Sequence, residues 1–287
     1  MNTNPSVARK LIEAKADSLK PFPQVVLDIV TVLDDEDANA NYLVDHLHRD
    51  GVLSGKVLGQ ANAASNRLPG QRTVTDVNSA VAMLGFSRIR TLVTTLAVRE
   101  AFTPSAPEKM AEKFWGHSVD VGTAAKVIAE HAGLKPELAY VAGLLHDIGV
   151  LWIAINHPRE YGRISTLLDA PEHHLIDMER QTLGTDHAEI GATLCEFWGL
   201  PAEILQPVAG HHNPDGMSPN PYVMCVHLAE MSCNALDLGK RPRNIVTHLS
   251  EKTLPILGLE WQQMPDLLGE IEARARYMRA FSGIPAS

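Results

Sequence analysis

The longest apolar stretch of the sequence, Leu138 to Ile155, carries His146 and Asp147 at its centre, with Gly143 and Gly149 beside them. A run of about 18 residues is long enough to suggest a membrane-spanning helix, but ionisable residues at the middle of a bilayer are costly and rare. The run therefore predicts helix buried in a protein core. A carboxylate placed there needs a cation or strong hydrogen bonds to offset its burial.

The composition is that of an ordinary water-soluble globular protein. The chain has 287 residues, 45% of them apolar and 21% charged, which allows one large domain or two smaller ones with a real core. Acidic residues outnumber basic ones by 34 to 25, for a net charge of −9. An acidic chain without a basic run is not typical of a protein that binds nucleic acid or an anionic membrane, and we predict neither partner.

Cysteine usage and the N-terminal residues predict a cytoplasmic protein. Cys195, Cys225 and Cys233 form no Cys-x-x-Cys pair, which argues against a disulfide scaffold and against a thiolate zinc site. Cys225 and Cys233 lie eight residues apart on one predicted helical face, and we interpret them as core residues. The first residues, MNTNPSVARKLIEAKAD, contain no apolar run of the kind that a signal peptide needs.

Apolar residues recur at helical spacing along the whole chain. Val26, Ile29 and Val30 lie on one helical face, and no segment alternates with the period of two that marks a strand. Asp186 and Glu189 form the pattern of a capping box at the start of a helix. Besides a helix that begins at Pro23, the sequence predicts helices over 39–50, 52–64, 77–84, 89–102, 110–131, 136–147, 187–199, 201–212, 221–237 and 261–281.

The predicted fold class is all-α, a multi-helical bundle with an N-terminal helical lobe. The best internal boundary is the segment FTPSAPE at residues 102–108, which has two prolines and two small polar residues. The predicted divisions are an N-terminal tail at 1–18, an N-terminal lobe at 19–105, a second helical lobe at 106–240 and a C-terminal helical extension at 241–287.

Histidines and carboxylates in the second lobe are candidate metal ligands. Imidazole and carboxylate groups suit Fe, Mn, Zn or Mg. Neighbouring helical residues point about 100° apart, so His146 and Asp147 can reach one ion mainly where a helix ends, and Gly149 would supply that end. The candidate ligands are His117, His146, Asp147, His187, His211, His212 and Glu230.

Each candidate also has a purely structural interpretation. A single histidine on an apolar face is most often a core residue satisfied by one hydrogen bond. Two adjacent histidines, such as 211 and 212, can mark a helix end, where a protonated ring meets the helix dipole favourably. Glu230 can be a capping or solvated residue. The histidines interpreted as core or exposed are His131, His157, His173, His174, His227 and His248.

Several blocks of sequence resemble known families. AGLLHDIG, at residues 142–149, resembles the signature of the HD superfamily of metal-dependent phosphohydrolases. Residues 19–214 resemble the HDOD family, the HD-related output domain of bacterial signalling proteins. The further blocks that carry this resemblance are KPFPQVVLDIVTVLDD, LVDHLHRDGVLSGKVLGQANAASN, TVTDVNSAVAMLGFSRIRTLV, FWGHS, DHAEIGATLCEFWGLP and GHHNP. One departure is Asp50-Gly51, where the family usually has Asp-Pro.

The resemblance implies a ligand set. HD hydrolases hold one or two metals through a histidine, the His-Asp pair and a later aspartate. His117 matches the first histidine, and His146 with Asp147 matches the pair. The histidines at 187, 211 and 212 match extra ligands of the HD-GYP enzymes, which degrade cyclic di-GMP. Glu230, in HLAE, stands where those enzymes have the final aspartate. The expected cofactor is one or two divalent ions, Fe or Mn ahead of Zn or Mg.

Two functions follow from the resemblance. HDOD domains are generally regarded as non-catalytic, which implies a signalling or regulatory protein that acts by binding a protein or a ligand and has kept its HD metal site. The alternative is an active phosphohydrolase, for example on cyclic dinucleotides, with Asp147 as the catalytic residue that bridges two metals. HD-GYP enzymes continue the pair as His-Asp-x-Gly-Lys, but this chain has Val150 in place of the lysine and lacks the GYP motif. Arg88 or Arg90 would have to replace that lysine.

The expected partner is a signalling protein that binds the N-terminal lobe, and a nucleotide or phosphoester is the alternative ligand. The sequence fixes neither the oligomeric state nor the role of the C-terminal helix. That helix, which begins near Trp261, could cap the second lobe or form a dimer contact.

Overall fold

The computed structural model describes residues 5–31, 36–63, 73–103, 108–167, 175–238 and 249–284, which contain helices and no strand. The predicted all-α fold class is confirmed. The chain forms two compact units. The smaller unit comprises residues 22–102 and 281–283, and the larger unit comprises residues 1–21, 103–280 and 284–287.

The smaller unit is built from five helices in the part of it that the structure describes. Its core contains Val26, Leu47 and Ile89, which are fully buried. The Asp50 side chain accepts hydrogen bonds from the first backbone N–H groups of the fourth helix, and Gly51 stands at its first position, where proline is also well accommodated. The helices are α2 (Gln24–Thr31), α3 (Glu36–Arg49), α4 (Gly51–Ala61), α5 (Val77–Leu84) and α6 (Phe86–Phe102).

The larger unit contains the remaining helices and the N-terminal one. They are α1 (Val7–Glu13), α7 (Glu108–Ala132), α8 (Pro136–Leu145), α9 (Ile148–Asn156), α10 (Pro158–Leu167), α11 (Leu175–Leu183), α12 (His187–Phe197), α13 (Ala202–Gly210), α14 (Pro221–Ala235), α15 (Thr253–Leu257) and α16 (Met264–Phe281), the last of which belongs to this unit up to Ala280.

Two glycines bring α7 and α8 into backbone contact at the centre of the larger unit. A Cβ atom on Gly143 would lie 2.8 Å from the Gly122 Cα atom and 2.8 Å from the Val121 carbonyl oxygen. The apolar stretch 136–156 is long and apolar enough to cross a membrane, but most of it is buried inside the protein. Burial of that kind is typical of the core helix of a folded domain.

The chain turns at His146 and Asp147, between α8 and α9. The expectation that Gly149 ends the helix is wrong: α8 already ends at Leu145, and Gly149 lies in the first turn of α9. Gly149 is needed for close packing instead. A Cβ atom there would lie 2.0 Å from the His187 carbonyl oxygen, so only glycine lets α9 approach the start of α12 this closely.

Both termini of the described chain contribute helices to the larger unit. The segment predicted as a tail contains α1, where Arg9 forms an ion pair with Glu196 of α12. Helix α16 runs along α7 in the opposite direction, since Glu270 contacts His131 near the C-terminal end of α7 while Arg279 contacts Asp120 further back. The predicted linker at 102–108 lies mainly outside the described residues, and His173, His174 and His248 lie wholly outside them.

Candidate metal centre

All seven candidate ligands come from helices or helix ends of the larger unit. His117 lies in the middle of α7 and Glu230 in α14, whereas His187 is the first residue of α12. His146 and Asp147 form the turn between α8 and α9, and the two histidines at 211 and 212 follow the end of α13. His212 is half-buried, and the other six side chains are buried.

Asp147 lies at the centre of this cluster, with histidine nitrogens facing both of its oxygens. Its Oδ2 atom is 3.3 Å from His146 Nε2 and 3.9 Å from His117 Nε2. Its Oδ1 atom is 3.4 Å from His187 Nε2 and 3.7 Å from His211 Nε2. A carboxylate whose two oxygens face separate sets of imidazoles can bridge two metal ions. We name the two positions after these atoms, the Oδ1 position and the Oδ2 position.

Ligand atoms in the cluster lie close enough to share ions. At the Oδ1 position, atoms of Asp147, His187, His211 and His212 all lie within 4.8 Å of one another. At the Oδ2 position, the same holds for His117, His146 and Asp147. Glu230 forms a third such group with His146 and His211, so its longer side chain brings a carboxylate to the cluster on the side of those two rings.

Hydrogen bonds orient three of the rings toward the centre. His146 Nδ1 lies 2.7 Å from the Gly143 carbonyl oxygen, and His211 Nδ1 lies 3.0 Å from that of Val208. His187 Nδ1 lies 2.6 Å from a carboxylate oxygen of Glu179. Carbonyl and carboxylate oxygens accept hydrogen bonds, so each Nδ1 donates, and the Nε2 lone pair of the neutral ring is left for a metal.

The family follows from comparison with known proteins. A model of the HDOD domain matches residues 19–214, about two thirds of the chain. The protein belongs to the HDOD family. An HDOD domain protein of unknown function from Geobacter sulfurreducens is 27% identical, with a TM-score of 0.79 over 96% of this chain and 95% of that one. A phosphohydrolase candidate from Shewanella amazonensis is 26% identical, with a TM-score of 0.72 over 95% of this chain and 98% of that one.

Among curated proteins, an uncharacterised protein of Treponema pallidum is 26% identical over 245 residues. The match covers 81% of this chain but only 46% of that protein. This HDOD chain therefore spans about half the length of that curated relative.

Two observations show that the HDOD cluster fits a metal ion. The buried Nε2 atoms of His146 and His211 make no hydrogen bond within the described part of the chain. His187 Nε2 and His212 Nε2 are only 2.9 Å apart, so a proton or a cation must lie between two nitrogens that would otherwise repel. Two nitrogens bound at about 2.1 Å to one metal lie about 3 Å apart when adjacent in an octahedral shell. The donor set is nitrogen and oxygen without sulfur, which suits Fe, Mn or Zn.

The electrostatics of the cluster favour a bound cation. Burial opposes the charge on Asp147, yet His146, His187 and His211 hold its pKa well below the usual value. Burial likewise opposes the charge on Glu230, but the neighbouring histidines lower its pKa to about 2. Both carboxylates are therefore ionised in a buried site, which must contain compensating positive charge.

Without a metal, that positive charge is a proton on the histidines. Burial alone would lower the pKa of His187, but the hydrogen bonds to Asp147 and Glu179 raise it to about 10. Burial and the neighbouring histidines lower the pKa of His212 to about 2. The proton between these two rings therefore resides on His187, and a metal ion must displace it.

Glu179 is the residue at this site that the sequence did not indicate. It lies in α11, eight residues before His187, and its side chain is 2% exposed. An isolated glutamate in a helix ahead of the ligand carries no motif, so only the fold shows that it contacts the ring. His227, interpreted as a core or exposed histidine, is buried, and its Nδ1 lies 2.7 Å from the His211 carbonyl oxygen.

Nothing in the first turn of α9 supplies the cation that HD-GYP enzymes use. Val150 takes the place of that lysine, and its backbone N–H donates to the Asp147 carbonyl oxygen at 2.8 Å. Arg90, one of the two suggested replacements, lies with its guanidinium 5.0 Å from the centre of the Phe86 ring in the smaller unit. The use of Arg88 or Arg90 at the metal centre stays a prediction.

Proposed function

We propose that this HDOD protein is a bacterial, cytoplasmic regulatory protein that holds one or two divalent transition-metal ions in its larger unit and acts by binding a signalling partner. The proposal rests on one combination of features: the cluster of candidate metal ligands is present, but position 150 has an apolar residue. The cluster supports metal binding, and Val150 cannot neutralise a phosphate.

The chain's own residues would hold the ions as follows. His187, His211 and His212 would complete the Oδ1 position, and His117 and His146 the Oδ2 position, with Asp147 shared between the two. Glu230 lies close enough to His146 and His211 to add a carboxylate ligand. Bound there, a divalent ion would act as a Lewis acid and lower the pKa of a coordinated water.

Elemental analysis tests the metal site. We expect protein purified without a histidine tag to contain about one or two equivalents of Fe or Mn per chain, and we expect the double variant His146→Ala/Asp147→Ala to contain none. His131→Ala is the matched control, because His131 pairs with Glu270 on the surface of the same unit. Wild-type protein that stays free of metal after anaerobic reconstitution with Fe and Mn would contradict the proposal.

The partner is proposed to bind the smaller unit. Helix α4 presents Val52 there with 58% of its surface exposed, and a charge at this position would disturb a partner that packs on that face. We expect saturable partner binding that survives the double variant His146→Ala/Asp147→Ala but is lost in Val52→Asp. If partner binding is lost in His146→Ala/Asp147→Ala but retained in Val52→Asp, the partner does not bind the smaller unit as proposed.

An active phosphohydrolase is the second candidate function. The placement of Asp147 between two groups of histidines favours it, as does the similarity to the phosphohydrolase candidate from Shewanella amazonensis. The test is phosphodiesterase activity of the protein loaded with Mn or Fe on cyclic dinucleotides and simple phosphoesters. No turnover by fully metallated protein would exclude hydrolysis of these substrates and leave the regulatory function.

A further inference from the structure

We propose that Glu179 acts through His187 to make the Oδ1 position the tighter of the two metal positions, so that it fills first as metal concentration rises. The inference rests on the proposed metal site and deepens it, because it assigns an order of loading and a residue that sets this order. Glu179 contacts no candidate metal position itself and is therefore a positioning residue.

Glu179 fixes His187 through two hydrogen bonds to one carboxylate oxygen. Its Oε2 atom accepts from the ring Nδ1 at 2.6 Å and from the backbone N–H of the same histidine at 2.8 Å. Both side chains are buried, with 2% and 0% of their surface exposed. The two contacts set the ring's orientation and its tautomer together, and leave Nε2 facing Asp147 Oδ1 at 3.4 Å.

The other oriented rings have neutral acceptors. His146 and His211 donate to the backbone carbonyls of Gly143 and Val208. A carboxylate acceptor makes an imidazole a stronger electron donor than a carbonyl does, and loss of such a partner typically costs 10–100-fold in metal affinity. Among these three rings, only His187 has this support, and it belongs to the Oδ1 position.

The number of donors favours the same position. Apart from Glu230, which lies near one ring of each position, four residues converge on the Oδ1 position, three of them histidines, whereas the Oδ2 position has three residues, two of them histidines. A four-donor set also satisfies the usual protein coordination of a transition metal more completely. At intermediate metal concentration the protein therefore passes through a state with one ion bound, and full occupancy reports higher metal availability.

Titration with Mn²⁺, followed by the electron paramagnetic resonance of the free ion, tests this order. We expect two phases in wild-type protein. Glu179→Gln keeps an oxygen that accepts from the backbone N–H but removes the charge, and we expect it to weaken the tighter phase by about 10–100-fold. His117→Ala should abolish the weaker phase and leave the tighter one.

Glu189→Gln is the matched control. Glu189 lies in the first turn of α12, as His187 does, and its carboxylate accepts a hydrogen bond from the Thr185 hydroxyl at 2.6 Å rather than from a candidate ligand. It should leave both phases unchanged. Equal affinity in Glu179→Gln and wild type, or an equal loss in Glu189→Gln, would overturn the role of Glu179. Wild-type protein that binds no Mn²⁺ would overturn the proposed metal site as well, so the two failures are distinguishable.

A measurement on wild-type protein covers the case in which Glu179→Gln does not fold. In Zn²⁺-loaded protein, one imidazole Nδ1 proton should resonate far downfield and exchange slowly, as expected of a short, buried hydrogen bond to a carboxylate. Assignment of that proton to His187 supports the inference. Its absence at saturating Zn²⁺ overturns it.

Discussion

At the scale of single residues, the proposed metal chemistry depends on Asp147 and on Val150, one helical turn later. Asp147 is a buried carboxylate, which is stable only with compensating charge, and the histidines around it provide ring nitrogens for a metal. Val150 follows in the first turn of α9 and offers no charge. A metal centre of this composition can hold an ion but has no cation of its own there to hold a phosphate.

The first prediction restores that cation. In metal-loaded protein, Val150→Lys should bind inorganic phosphate about tenfold more tightly than wild type, because one charge-assisted hydrogen bond contributes about 1.5 kcal/mol or more. Isothermal titration calorimetry measures the affinity. Val150→Met, which adds length without charge, should bind phosphate as wild type does. Equal phosphate affinity in the two variants would show that position 150 does not determine anion binding.

The sequence indicated some residues of the cluster but not others, and the reason is physical. His146, Asp147 and His187 belong to local sequence motifs, a turn and a helix start, that can be recognised from the residues beside them. Glu179 lies on a separate helix, and its contact with His187 exists only because α11 packs beside the start of α12. Contacts of that kind depend on the tertiary fold and leave no pattern along the chain.

At the scale of helices, the position of His187 depends on the close approach of α9 and α12. Gly149 in α9 faces the His187 carbonyl oxygen, and Gly191, one turn into α12, lies with its backbone against Gly149. A side chain at Gly149 would force the helices apart, whereas a Cβ atom on Gly191 would lie 2.9 Å from the Val208 side chain of α13. The helix that carries a candidate ligand is therefore placed by glycines that bind nothing.

The second prediction tests this packing. Gly149→Ala should lower the free energy of unfolding by about 3 kcal/mol or more, since its methyl group would overlap backbone that cannot move cheaply, and should reduce bound metal. Urea denaturation and elemental analysis measure the two effects. Gly162→Ala in α10 is the control, because a Cβ atom there meets nothing within 4 Å. It should be neutral or stabilising by up to about 1 kcal/mol. Equal stability of the two variants would contradict the packing role.

The third prediction concerns the contact between α16 and α7. The Arg279 guanidinium donates to the buried Asp120 carboxylate, with Nε at 2.7 Å from Oδ1. Arg279→Ala should cost about 3–5 kcal/mol in urea denaturation, because it leaves a buried charge without its partner. Arg276→Ala, which removes an exposed pair with Glu272 on the same helix, should cost less than about 1 kcal/mol. Similar costs for both variants would show that the buried pair does not hold α16 in place.

Hydrophobic periodicity predicted most helices to within a few residues, as the expected span 77–84 and the observed α5 (Val77–Leu84) show. It did not predict α9 as a separate helix, because the apolar pattern continues through the turn at His146. Helical spacing reports which face is buried. It does not report a change of direction that occurs between two fully buried segments.

At the scale of the whole molecule, the candidate ligands all belong to the larger of the two units, and Val52, the residue chosen to test partner binding, belongs to the smaller one. The proposal thus places metal binding in the larger unit and partner binding in the smaller one. A ligand that binds only the folded state stabilises that state by mass action. Metal should therefore stabilise the larger unit directly.

The fourth prediction follows from this assignment. At a free metal concentration about 100 times the dissociation constant, binding should add about 2.7 kcal/mol to the stability of the larger unit. For a unit of this size that corresponds to a rise in Tm of about 5–10 °C. Differential scanning calorimetry with Mn²⁺ and with a chelator measures the shift. The double variant His146→Ala/Asp147→Ala should show none, because it lacks the bridging carboxylate and one ring of the Oδ2 position. A wild-type Tm that is the same with metal and with chelator would mean that the cluster is held together by protons and hydrogen bonds alone.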